Sequence, residues 1–282
     1  MANRFFKQSD FDTNFENEIT SAINVYLNRQ KSGMMDNSFT QYDFTFISDS
    51  RDKLESLGKF LSGNYGYRIS SVENKRDEYE LIGYSVEFPV DRDNLIYWAL
   101  DLYCKGYEFD CKLCGYGSMD DVENQRFPDM SKAGYDKCFE LAMVAYNKRN
   151  LGISFCYFST AIKIDNNDPN AWYSRAIIKD DLHTWKSARM DYDKAIQLAP
   201  DFSEAIINRA ANKDEAGEYV DAIKDYTKAI ELDPQNEMAY FNRGNSKFNI
   251  KDIKGACEDW YAAKGLGSEY AKERIDKNCN KR

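Results

Sequence analysis

Between Ser203 and Asn236 the chain reads SEAIINRAANKDEAGEYVDAIKDYTKAIELDPQN. Ile206 and Ala210 mark one helical face. Ala222, Tyr226 and Ala229 mark a second, spaced four and three apart. Gly217 falls between the two helices, where a tight turn favours a residue without a side chain. Pro234 follows the second helix and stops it. The same pattern returns at a fixed offset of 34 residues. Ala229 maps onto Ala161, Ala195 and Ala263; Tyr226 onto Phe158, Tyr192 and Trp260; Ala222 onto Ser154, Ala188 and Ala256; Ala210 onto Ala142, Ala176 and Gly244. Pro234 maps onto Pro200, and onto Asn166 and Ser268 in the outer copies. A chain that repeats a helical hairpin four times without insertion is expected to stack those hairpins on one another.

The period and the small–aromatic–small–proline pattern resemble the tetratricopeptide repeat (TPR), over about half the chain from near Tyr135 onward. The resemblance implies an all-α solenoid that serves as a binding scaffold. It places repeats at 135–168, 169–202, 203–236 and 237–268. Residues 269–282 follow as a capping helix and tail, in which Tyr270 and Ile275 would cover the last repeat.

A length of 282 residues makes two domains the natural expectation, and 43% apolar with 15% aromatic residues suffices for packed cores. The net charge of −9 argues against a general nucleic-acid binder, which needs a basic surface. Seven cysteines are scattered: Cys104, Cys111, Cys114, Cys138, Cys156, Cys257 and Cys279. The number is odd and most fall in helical repeats, where cysteine behaves as a small hydrophobe, so a reducing compartment is expected. The first residues, MANRFFKQSDFDTNFENE, carry no apolar signal core, and no apolar run approaches membrane-spanning length. Cytoplasmic localisation is the expectation.

The first 118 residues read differently. Phe11, Phe15, Ile19, Ile23 and Leu27 recur every four residues, predicting a packing helix over about 12–30, within an N-terminal segment 1–36. Tyr42, Phe44 and Phe46 alternate, predicting a strand over 41–49. A helix with Leu54, Leu57 and Leu61 inward follows, closed by Gly63 and Gly66. A second strand is expected over 67–72 and a charged turn over 73–78. A third strand would carry Ile82, Tyr84, Val86 and Phe88 on one face and close at Pro89. Asp91 or Asp93 opens a helix with Leu95, Trp98, Ala99 and Leu102 inward, Gly106 ends it, and a fourth strand is expected over 107–113. The order β-α-β-β-α-β over 37–118 is the ferredoxin-like split βαβ arrangement. The expected class is therefore an α+β ferredoxin-like domain followed by the TPR solenoid. The polar, proline-containing stretch 119–134 is the expected linker.

The leading helix, the first strand Tyr42–Ser48, the entry GYRIS at Gly66–Ser70 and the closing segment YEFDCKLCGYG at Tyr107–Gly117 resemble the bacterial ribonuclease E inhibitor domain, the regulator of ribonuclease activity B. Phe109 and Asp110 match the aromatic and the acid of that family's closing motif. Cys111 and Lys112 replace its glycine and tryptophan. The resemblance implies an acidic, non-enzymatic domain that binds a ribonuclease scaffold. Residues 1–118 hold 13 Lys/Arg against 19 Asp/Glu, which agrees with that implication and leaves open an immunity-type inhibitor of a toxin or nuclease.

Catalytic chemistry finds little support in the residue types. Cys111 and Cys114 form a lone CxxC, with Cys104 the one possible further ligand; on a strand, residues three apart point to opposite faces. A metal- or thiol-dependent protein stays an alternative on that motif alone. The single histidine, His183, falls at a repeat turn, so no Ser-His-Asp or Cys-His system can be assembled. Pairs such as Asp180–Asp181 read as solvated faces. No enzyme and no cofactor are expected.

The TPR resemblance implies that the first helix of each repeat lines a concave groove. Its inward positions include Phe139 and Tyr146; Tyr173 and Asp180; Ile207, Asn208 and Asp214; and Phe241, Asn242, Asn245 and Phe248. None of the inward positions is lysine or arginine. TPR domains that clamp a C-terminal carboxylate use concave basic residues beside asparagine, so the resemblance implies a different ligand here. Aromatics supply area, asparagine amides hydrogen-bond a backbone, and acids favour a basic segment. The expected partner is a protein or peptide segment, neutral to basic, for which the second resemblance implies a ribonuclease, with no direct nucleic acid and no membrane. The residues expected to hold it are Phe139, Tyr146, Tyr173, Asn208, Asp214, Phe241, Asn242, Asn245 and Phe248.

Overall fold

The computed structural model describes residues 4–36, 38–118 and 130–279. The chain forms two compact units, residues 1–165 and 166–282. It is mostly helical, with a small antiparallel sheet region near its N-terminus. Among the described residues no helix is long and apolar enough to cross a membrane.

In the first unit, α1 (Gln8–Lys31) leads into β1 (Ser38–Thr40), β2 (Tyr42–Ser48) and α2 (Arg51–Phe60). A π-helical turn, Leu61–Tyr65, extends α2, and Gly66 stops it with a left-handed φ of 73°. Then come β3 (Arg68–Lys75), β4 (Glu78–Tyr84), β5 (Phe88–Val90), α3 (Arg92–Glu108) and β6 (Lys112–Ser118). The main sheet is antiparallel throughout, in the order β3-β4-β2-β6. Phe44 pairs with Gly83 and Phe46 with Leu81, so these four share the buried face. Gly83 has no alternative: a Cβ there would stand 2.5 Å from the Phe44 ring.

Several expectations fail in this unit. The third strand ends at Tyr84, and Phe88–Val90 leaves it to pair with Ser38–Thr40 as a separate ribbon. Pro89 lies inside that ribbon opposite Phe39, an edge position where a missing N–H is tolerated. The inward residues of β4 are Leu81 and Gly83, so Ile82 and Tyr84 occupy the other face. Gly106 does not end α3. A Cβ there would meet the Cys111 carbonyl at 2.7 Å and the Phe46 ring at 2.7 Å, so its missing side chain serves packing. The last strand accordingly begins at Lys112, five residues later than expected.

The four-residue period expected of α1 drifts around a helix of 3.6 residues per turn. Phe11 and Ala22 are buried, whereas Leu27 is 46% exposed. Phe11 stacks on Tyr103 with ring centroids 5.1 Å apart and lies 4.5 Å from Tyr107, which seats α1 on α3.

The expected linker lies mostly outside the described residues. α4 (Met130–Asn147) breaks at Gly134, whose φ of 73° and ψ of 164° are not helical. α4 and α5 (Leu151–Ile164) form the first hairpin and belong to the sheet unit. Tyr97 of α3 stacks on Phe155 of α5 at 3.9 Å. A Cβ on Gly152 would lie 2.8 Å from the Trp98 Cα, so the two helices meet almost backbone to backbone. Buried Asp101 accepts from Tyr65 Oη at 3.1 Å and from the Gly152 N–H at 3.1 Å, while Tyr65 Oη also donates to the Arg149 carbonyl at 2.6 Å.

The second unit holds three hairpins: α6 (Pro169–Asp181) with α7 (Trp185–Leu198), α8 (Ser203–Glu215) with α9 (Tyr219–Leu232), and α10 (Glu237–Asn249) with α11 (Ile253–Gly265). α12 (Tyr270–Asn278) closes it. Every hairpin turn places one residue in the left-handed region, at Arg149, His183, Gly217 and Lys251, spaced by 34. Only one of the four is glycine. Each end is held by paired backbone bonds, as in His183 N–H to the Asp180 carbonyl at 2.9 Å and Thr184 N–H to the Lys179 carbonyl at 2.8 Å.

At the C-terminus Ala271 and Ile275 cover Ala256, Trp260 and Ala263. Ile275 meets its expectation. Tyr270 does not, being 75% exposed, because Ala271 takes the inward position one residue on. Cys257 and Cys279 form a disulfide with Cα atoms 5.7 Å apart, so Cys257, a repeat cysteine, is not the small hydrophobe expected there.

Candidate functional site: the face of the stacked first helices

The expected site residues divide between the two units. In the first, Phe139 packs edge-on against Phe158 at 5.2 Å and lies 5.8 Å from Tyr135, while the Tyr146 carbonyl accepts the Arg149 N–H at 2.8 Å in the hairpin turn. The other seven lie in the second unit.

There the first helices stand side by side. Asn208 Nδ2 of α8 donates to Tyr173 Oη of α6 at 3.2 Å. Asn242 repeats the Asn208 position one hairpin on. It is half-buried, and among the described residues its amide makes no hydrogen bond. Phe241 faces Tyr270 at 6.0 Å. These residues sit on one helix face because first-helix positions five and six recur every 34 residues.

Other expected residues turn out to hold the hairpins together. Asp214 accepts from Tyr226 Oη at 3.1 Å, within its own hairpin, and from Ser246 Oγ of the next at 2.7 Å. Asp180 does the same with Tyr192 Oη at 2.7 Å and Asn212 Nδ2 at 2.7 Å. Burial raises both carboxyls above the usual carboxylate range, and these donors partly offset it. In the last hairpin Phe248 takes the aspartate's place against Trp260, at 5.7 Å. Asn245 accepts from Trp260 Nε1 at 3.2 Å. Asn212, Ser246, Tyr192 and Tyr226 were not among the expected residues. The spacing of 12 between each aspartate and its tyrosine was the available signal.

Basic side chains are present in the first helices, but they turn the other way. Arg175 and Lys179 meet Asp191 at 2.7 and 2.8 Å; Arg209 and Lys213 meet Asp225 at 2.8 and 2.7 Å; Arg243 and Lys247 meet Asp259 at 2.7 and 2.9 Å. Each triad joins the two helices of one hairpin. Glu204 and Glu215, both in α8, are exposed.

In the sheet unit, Asp110 sits at a left-handed turn with φ of 58°. It accepts the Phe5 and Phe6 N–H groups at 3.2 and 2.7 Å and Lys53 Nζ at 2.8 Å. Burial works to raise its carboxyl, but these donors outweigh it and hold it below the usual range. Asp110 thus anchors the N-terminal arm. Cys111 is buried, its thiol pushed up to about 12 by burial, whereas Cys114 is exposed. Among the described residues no group of three His, Cys, Asp or Glu side chains is placed to hold a metal ion.

Residues 215–250 match the family model described as TPR repeat. No curated protein matches the chain. Among solved structures, MamA is 18% identical, with 50% of this chain and 82% of MamA covered at a TM-score of 0.47. YrrB, described as a TPR protein with an unusual peptide-binding site, is 17% identical over 64% of this chain and 82% of its own, at 0.48. The first TPR of Spaghetti (RPAP3), solved with an HSP90 peptide, is 19% identical over 41% and 93%, at 0.39. Residues 215–250 are thus similar to the TPR repeat, and the hairpin turns around them keep one 34-residue register.

Proposed function

We propose that the chain is a non-enzymatic adaptor or regulator that binds a neutral-to-basic protein segment on the first-helix face of its C-terminal unit. One observation carries this. Asn208 is bonded to Tyr173 across neighbouring helices, and Asn242 repeats its position with an amide that no described residue engages. A half-buried amide in that place suits the backbone of an extended segment. Glu204 and Glu215 favour basic side chains there, while the Arg–Asp–Lys triads leave the basic groups turned toward the second helices, away from an acidic tail.

We read residues 37–118 as ferredoxin-like. The order β3-β4-β2-β6 around two crossover helices supports the split βαβ arrangement. With the ribonuclease E inhibitor resemblance, it makes a ribonuclease the first partner to try, in the cytoplasm.

Fluorescence anisotropy with purified protein and labelled peptides of neutral, basic and acidic composition tests the binding face. Neutral or basic peptides should bind and weaken roughly tenfold with Asn242→Ala. Preferential capture of acidic C-terminal peptides, or no effect of the substitution, refutes this face. A nuclease assay with added protein tests the ribonuclease separately.

A further inference from the structure

The Cys257–Cys279 bond joins α11 to the first residue after α12. α12 has nine residues, too few to hold helical structure alone. Two side chains, Ala271 and Ile275, bury it on Ala256, Trp260 and Ala263. The disulfide adds the one covalent attachment among the described residues. Both cysteines are only half-buried, whereas Cys111, Cys138 and Cys156 are buried.

We propose that Cys257–Cys279 is a redox-sensitive latch: a dithiol reductant opens it, and α12 then detaches from the end of the last repeat. A thiolate of the reductant attacks one sulfur, the protein S–S bond breaks, and the other cysteine leaves as thiolate. The reductant's second thiol resolves the mixed disulfide. Two electrons pass to the protein, two protons end on the Cys257 and Cys279 sulfurs, and the reductant leaves as its own disulfide. Opening lengthens the free chain after Gly265, exposes the apolar strip of α11, and withdraws Tyr270 from Phe241, 6.0 Å away in the closed form. The seam is built for one occupant, the chain's own α12, because Ala271 and Ile275 fill it at 0% and 3% exposure.

Amide hydrogen exchange on the full chain tests the latch, in air-oxidised protein and after native treatment with dithiothreitol. Alkylation of the reduced protein should newly label Cys257 and Cys279 and leave Cys111, Cys138 and Cys156 protected. Exchange over Tyr270–Asn278 should then quicken about tenfold or more, with Tyr219–Leu232 unchanged. A Cys257→Ser/Cys279→Ser variant should exchange like the reduced protein in both buffers. Failure of the bond to form in air, resistance of the bond to dithiothreitol without denaturant, or equal α12 exchange in the two states overturns the proposal.

Discussion

Ser246 Oγ lies 2.7 Å from Asp214 Oδ1, a donor supplied by one hairpin to the buried acid of the hairpin before it. Asn212 and Asp180 repeat the relationship 34 residues earlier, also at 2.7 Å. The register of the C-terminal unit is thus held by a polar bond at each junction as well as by the alanine seams.

Ser246→Ala should therefore cost about 1–2 kcal/mol in urea unfolding, since Asp214 keeps Tyr226 but loses its inter-hairpin donor. Burial raises the Asp214 carboxyl above the 3.8 ordinary for an aspartate, so the fold favours the neutral form. Stability from this group is full at low pH and falls as pH rises from there through the folded value. Removing the Ser246 donor raises that value further and should extend the fall to higher pH. A variant whose stability against pH parallels the parent would contradict this.

Much of this was legible because repetition multiplies each signal. A lone Ala-Tyr-Ala says little, but the same residues at 188, 192 and 195 and at 222, 226 and 229 say helix face twice over. The sheet unit offers no such redundancy. Gly106 reads as a stop, and only the approach of Phe46 and Cys111 reveals its packing role. Pro89 reads as an end because the three-residue partner Ser38–Thr40 is too short to announce itself. At the candidate face, residue type placed Asp214 and Asn245 among the ligand contacts. The donors that claim them, Ser246, Tyr226 and Trp260, lie on other helices and become visible only in the fold.

Asp101 offers a second pH test. Burial lifts its carboxyl from 3.8 to about 6, against the opposing pull of the Gly152 N–H, Lys105 and Tyr65. The folded value lies above the unfolded one, so stability from this group is full below about pH 4 and declines as pH rises to about 6. Asp101→Asn keeps an acceptor for Tyr65 or Gly152 and removes the charge. Its stability should be flat across that window and exceed the parent's above pH 6, by on the order of 1–2 kcal/mol once a weakened hydrogen bond is counted. Parallel urea curves at pH 4, 5, 6 and 8 decide it; equal slopes for both proteins would place the carboxyl's titration elsewhere.

Asn242→Ala separates binding from folding. Its amide bonds to no described residue, so the melting temperature should stay within about 2 °C of the parent, given a surface-like effect under about 0.5 kcal/mol. Asn208→Ala should instead lower both peptide affinity and melting temperature, because it also removes the bond to Tyr173. Calorimetric melting beside peptide titration tells the two apart, and a large melting shift for Asn242→Ala would mean that the amide serves the fold.

The sharpest test lies in the last hairpin. Ala176 faces Tyr192 and Ala210 faces Tyr226 in the two hairpins before it. At the matching position Gly244 faces the larger Trp260, and a Cβ on residue 244 would stand 2.7 Å from the indole Cδ1 and Nε1. The pair keeps its summed volume by exchanging size between partners. Gly244→Ala should cost about 2 kcal/mol by overpacking, and Trp260→Tyr about 1–3 kcal/mol through a void and the lost bond to Asn245. Made together, they restore the alanine–tyrosine pairing of the other hairpins. The double variant should then be more stable than the sum of the singles by about 1 kcal/mol or more. Urea unfolding of the four proteins measures that coupling, and strictly additive losses would show that glycine is required at 244 for some reason other than the indole.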